Sequence, residues 1–151
     1  MRRLNKLRRL SSSERNLLVR SFSTVLAARI LLWVLPFRVL HRATVYLAGR
    51  RGAQPSVSIQ QISWAVDVSS RRVPRATCLT QAIAAQILLG REGYEPRLYL
   101  GVARGNGGDF KAHAWVQCSG TVVVGGAERV NYTPLLGIRT VSHRRRLPLI
   151  P

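Results

Sequence analysis

Two residues of this chain have the types and settings needed for nucleophilic acyl chemistry. Cys78 stands in Arg75-Ala76-Thr77-Cys78-Leu79, where a long apolar stretch begins. The spacing predicts that this is the first turn of a helix. Unpaired backbone N–H groups and the helix dipole stabilise an anion there. A thiolate so placed has a lowered pKa and is a competent nucleophile, and Arg72 and Arg75 just upstream add positive charge. His113 stands in Lys111-Ala112-His113-Ala114-Trp115-Val116. Strand alternation puts His113, Trp115 and Gln117 on one face and Ala112, Ala114 and Val116 on the other. A strand histidine across from a helix-start cysteine is the geometry of a Cys–His pair. Taken singly, each residue reads more blandly, Cys78 as a small buried apolar group and His113 as a satisfied core or edge histidine. Cys118 falls on the face opposite His113 and reads as structural; His41 and His143 lie in basic surroundings and read as surface residues. Three His and two Cys this dispersed form no metal-ligand cluster, and no cofactor is expected. Gly105-Asn106-Gly107-Gly108 reads as a turn and not a phosphate cradle, because no helix with Lys-Ser/Thr follows it.

Positioning such a pair requires helices followed by strands, and the pattern supplies them. Ser11 followed by Glu14 fits a capping box. Leu17, Leu18, Phe22, Val25, Leu26, Ile30 and Leu32 or Trp33 then recur at helical spacing until Pro36. A second helix is predicted from about Phe37 to Leu47. A third is predicted with Ser56 as cap and Val57, Ile59, Ile62, Ala65 and Val66 as its apolar positions. Thr77 to Gly90 is apolar nearly all round, the mark of a centrally buried helix. After Pro96 the period changes to two: Leu98, Leu100 and Val102 form one strand, Ala112 to Cys118 a second, and Thr121 to Val124 a third. From Gly125 onward the tail reads as irregular and then basic. The expected fold class is α+β, with N-terminal helices followed by a buried, nucleophile-bearing helix packed on a small antiparallel sheet. The expected division is a helical region over 1–55, a catalytic core over 56–138 and a basic tail over 139–151.

Length and charge bound the reading further. The 151 residues are enough for one domain with a real core, and an apolar fraction of 46% argues against disorder. Twenty-four Lys and Arg, nearly all Arg, stand against 6 acidic residues, a formal charge of +18. Such a chain attracts anionic partners. The continuous apolar run Ile30–Leu35 falls short of the roughly 20 residues a membrane-spanning helix needs, so a buried or interfacial helix is expected near the N-terminus. Few cysteines and no disulfide framework point to a cytoplasmic setting, with peripheral membrane contact left open.

The stretches Ala76-Thr77-Cys78-Leu79-Thr80-Gln81-Ala82, Leu98-Tyr99-Leu100-Gly101-Val102 and Ala112-His113-Ala114-Trp115-Val116 together resemble the lasso-peptide maturation B proteins, the microcin-processing relatives of the transglutaminase-like superfamily. The resemblance covers about Phe37 to Leu136. It implies a cysteine peptidase that removes the leader from a ribosomally made precursor, with Cys78 as nucleophile and His113 as base and later acid. It implies three partners: the precursor's leader peptide, a separate leader-binding protein, and a cyclase that uses ATP to join the freed amine to a side-chain carboxylate. The chain departs from the family at the position of an Asp that orients the imidazole. The stretch Val122-Val123-Val124-Gly125-Gly126-Ala127-Glu128 holds no Asp, so Glu128 is the candidate replacement, with Asn131 a second. Asp109 lies on the wrong side of His113 for this role. Two other readings compete. One is a non-enzymatic basic protein on a membrane surface or nucleic acid, although no recognised nucleic-acid motif is present. The other is an acyl transferase using the same Cys–His pair.

Overall fold

The computed structural model describes residues 11–36, 39, 42–44, 46, 55–104, 109–126 and 131–139. Three helices, α1 (Ser12–Val34), α2 (Ile59–Ser70) and α3 (Cys78–Arg91), precede four strands, β1 (Arg97–Arg104), β2 (Phe110–Cys118), β3 (Thr121–Val124) and β4 (Thr133–Arg139). Residues 39, 42–44 and 46 are also helical; the rest of the predicted second helix, and the turn at 105–108, lie outside the described residues. The sheet is antiparallel with strand order β3-β2-β1-β4. The fold class is α+β, as the patterning predicts.

Each helix starts on a capping box. Ser11 and Glu14 exchange hydrogen bonds at the head of α1, and Leu35 closes the helix just before Pro36. For α2 the cap is Ser58, paired with Gln61, rather than the predicted Ser56. Ser56 instead donates from both its amide and its hydroxyl to Glu92 at the end of α3, at 3.1 and 2.7 Å, and Arg20 of α1 reaches the other carboxylate oxygen at 3.4 Å. This ties α1, the entry to α2 and the exit of α3 to one carboxylate. Burial pushes the Glu92 carboxyl up, but the Ser56 bonds and the Arg20 charge outweigh that and hold it below its ordinary value.

The core lies between the helices and one sheet face. α3 is buried from Ala82 to Gly90 on every side, and α2 contributes Ile62, Ala65 and Val66. Leu98, Ala114, Val116, Cys118 and Val124 meet them from the sheet. The Ser63 hydroxyl donates to the Val123 carbonyl at 2.6 Å, joining α2 to β3. α1 buries Leu17, Ser21, Val25 and Ala28 against this core, and Leu18 and Leu32 pack beside them partly buried. Phe22, Leu26, Ile30 and Trp33, read from the sequence as part of the same stripe, are exposed. By length and composition α1 is long and apolar enough to cross a membrane, with a mean hydropathy of 1.7 over an 18-residue window, longer than the short run Ile30–Leu35 suggested. Its buried residues nevertheless form one wall of the folded core.

A further difference lies after Gly125, where the sequence reads as irregular. Thr133–Arg139 is an edge strand paired with β1, with a register shift between Leu100 and Gly101. Pro134 and Gly137 hide it from a strand pattern, yet both are tolerated on an edge. Gly137 also leaves room for the Tyr99 ring, since a Cβ there would lie 2.9 Å from it.

Glu92→Gln is expected to lower stability at neutral pH by about 1.5–3 kcal/mol, the scale of hydrogen bonds to a charged group. The folded carboxyl sits below its ordinary value, so its stabilisation is complete above about pH 5 and fades as acid protonates it. Chemical denaturation at several pH values should show the gap between wild type and variant closing on acidification; a gap that does not depend on pH would refute this role.

Candidate active site

The site is built on the first turn of α3. Thr77 is its N-cap: the Thr77 hydroxyl accepts from the Thr80 amide at 3.3 Å, and the Thr77 amide donates to the Thr80 hydroxyl at 3.3 Å. The cap makes Cys78 the first residue of the helix, where the Cys78 and Leu79 amides have no acceptor within the helix. The approach is sharp. Arg75 takes a left-handed φ of 57°, which costs a residue with a side chain about 1–2 kcal/mol, and the chain then turns directly into the cap. Cys78 is half-buried.

His113 comes from β2, whose alternation places it opposite Ala114, Val116 and Cys118. It is buried, 8% exposed. β3 pairs with β2 as far as the Val116–Val124 pair, and among the described residues the β2 edge from Ala114 back to Ala112 has no strand partner on that side. A cleft of about 400 Å³ opens at this edge, lined by Cys78, Gln81, Ala112, His113, Gly125, Gly126 and Tyr132. Thus Cys78 and His113, predicted as a pair, line one cleft. No hydrogen bond joins the thiol to the imidazole among the described residues. A loose pairing is common before substrate binds.

The imidazole is held on three sides. Its Nε2 lies 2.9 Å from the Gly125 carbonyl. A carbonyl only accepts, so Nε2 carries the hydrogen and Nδ1 is the nitrogen left to act as base. Trp115 stacks on one side, with ring centroids 6.1 Å apart, and Tyr132 lies on another at 5.0 Å. Trp115 is itself stacked on Tyr99, its cross-strand partner, at 5.6 Å and 10°. The indole lies over Gly101, where a Cβ would come within 2.8 Å of it.

Glu128 lies outside the described residues. Asn131 is exposed, and it is its neighbour Tyr132 that reaches the ring. Asp109 is exposed at the head of β2. In this structure a backbone carbonyl, not a side chain, accepts from Nε2. Gly125 can present that carbonyl because it has a φ of 77° and because a Cβ would lie 2.6 Å from the Ala114 carbonyl oxygen. Sequence reasoning looked for a carboxylate or amide here; the Gly125-Gly126 pair directly after β3 was the available signal. Gln81, one turn beyond Cys78 on the same helix face, also lines the cleft, and its place three residues after the cysteine is the signal for it in the sequence. Cys118 is buried, and burial pushes its thiol up. Among the described residues no three of His, Cys, Asp or Glu gather to hold a metal ion.

A helix-start cysteine and a strand histidine on one cleft, in an α+β domain, define the class of papain-like and transglutaminase-like folds. A family model described as the transglutaminase-like superfamily matches residues 22–137, so the chain belongs to that superfamily. No curated protein and no solved structure matches the chain.

Gly125→Ala is expected to destabilise the protein by at least about 1–2 kcal/mol, through its left-handed backbone and the contact with Ala114. In wild type, ring nitrogen–proton correlations by NMR should show neutral His113 protonated on Nε2. The Nδ1 tautomer there would refute the bond to Gly125.

Proposed function

We propose that this chain is a cysteine peptidase that removes the leader of a ribosomally made lasso-precursor peptide. The observation that carries the peptidase reading is that Cys78, on an N-capped helix start, and His113, whose Nε2 is taken by the Gly125 carbonyl, line one cleft. Membership of a superfamily whose members are usually cysteine-based enzymes supports it. The narrower substrate rests on the resemblance of the Cys78, Gly101 and His113 segments to the lasso-peptide B proteins. It also rests on a charge of +18, which suits an acidic leader or leader-binding partner.

In the proposed reaction His113 Nδ1 takes the Cys78 proton and the thiolate attacks the scissile carbonyl carbon. The Cys78 amide, at the helix start, and the Gln81 side-chain amide, in the cleft lining, are the donors we assign to the oxyanion that forms. The C–N bond then breaks as the imidazolium protonates the departing amine, leaving a thioester on Cys78. A water that gives its proton to His113 attacks this thioester, the C–S bond breaks, and the leader leaves as a carboxylate. The Gly125 carbonyl holds the ring through both halves of the cycle. The freed amine of the core peptide is the group that a partner cyclase would acylate.

The test is cleavage of the precursor peptide encoded beside this chain, with its leader-binding protein, followed by mass spectrometry. Wild type should release leader and core. Cys78→Ala and His113→Ala should each lose at least about a thousandfold in rate, with unchanged circular dichroism. Cys118→Ser should cut normally. Cleavage retained by Cys78→Ala would remove Cys78 from the reaction, and a rate insensitive to salt would remove the electrostatic part of substrate capture.

A further inference from the structure

α1 is apolar on two opposite sides, and the fold uses one of them. Leu17, Ser21, Val25 and Ala28 turn inward. Val19, Phe22, Leu26, Ile30 and Trp33, spaced three and four residues apart, form a second stripe about 20 Å long on the other side. Val19 is 64% exposed, Ile30 52% and Trp33 82%, far more than single scattered apolar residues require. Beside the stripe, where α1 meets the end of α2, lies an apolar cleft of about 230 Å³ lined by Leu18, Val19, Phe22, Val68, Ser69 and Arg72. Arg72 at its rim is exposed, as is Arg15 near the head of α1. The one acidic residue of α1, Glu14, is held in the capping box.

We propose that this outer face of α1 docks on the surface of an anionic lipid bilayer, with the stripe in the acyl boundary and the flanking arginines at the headgroups. The helix lies on the membrane and does not cross it, because its inner side is part of the folded core. Charge selects this occupant. An apolar helix face flanked by Arg, on a chain of +18, matches what interfacial helices present to anionic lipids, and Trp33 at the end of the stripe is a residue type enriched at that depth. A second copy packed through the same stripe would bring the arginines of two strongly basic chains together, which disfavours it.

The experiment is sedimentation of the full chain with vesicles of phosphatidylcholine, alone or with one-quarter phosphatidylglycerol. Binding should be confined largely to the anionic vesicles and weakened by salt. The triple variant Phe22→Ser/Ile30→Ser/Trp33→Ser, whose altered positions are exposed, should bind about tenfold less well while keeping its circular dichroism. Brominated acyl chains should quench wild-type tryptophan fluorescence but not that of Trp33→Phe, which retains Trp64 and Trp115. Equal binding of the triple variant would overturn the proposal. So would the absence of binding to either vesicle, as would self-association or capture of an acidic protein that the same substitutions abolish.

Discussion

Burial of α3 from Ala82 to Gly90 is the constraint on which the rest of this molecule depends. A helix apolar on every side needs a partner on every side: α1 and α2 supply some of the cover and one face of the sheet supplies the rest. That enclosure fixes where the helix begins. A first turn held by packing along nine consecutive buried residues does not fray, so the Thr77 cap and the residue after it keep one orientation. The reactive position is thus the half-buried end of a helix otherwise enclosed by the core. The Glu92 carboxylate at its other end serves the same purpose, binding the entry to α2 and the flank of α1 to the exit of α3.

The second half of the site has a different physical basis. Among the described residues His113 is positioned by aromatic stacking and one backbone acceptor. Trp115 is held between Tyr99 and the imidazole, and it fits because β1 carries Gly101 beneath it. The edge strand contributes through Gly137, which admits Tyr99. The imidazole's placement is therefore distributed across three strands and the turn after β3, and glycines set the spacing at each step.

Much of this was legible in the sequence. The alternation of Leu98, Leu100 and Val102, and the apolar density of Leu79–Leu89, depend on local pattern, and local pattern was preserved in the fold. Cys78 and His113 both line one cleft; their action as a pair is part of the proposed function. What local pattern could not show was direction around α1. With apolar residues on both sides, helical spacing alone does not say which stripe the core takes. β4 was hidden because Pro134 and Gly137 count against a strand wherever a strand must be central. The Ser58 cap was displaced from view by Ser56 two residues earlier, which serves Glu92 instead. The acceptor for His113 was invisible for a more basic reason: a carbonyl is present at every residue, and only the backbone conformation at Gly125 makes that one matter.

The contrast between the two thiols has a practical side. Cys78 is half-buried in the lining of a cleft, whereas Cys118 is enclosed by the sheet and the helices, and that burial pushes its thiol up. An alkylating reagent applied to the folded chain therefore meets one reactive sulfur, and a second becomes available only when the sheet separates from α3. The protein carries its own gauge of folding: the number of labels per chain reports, without any substitution, whether the core is closed.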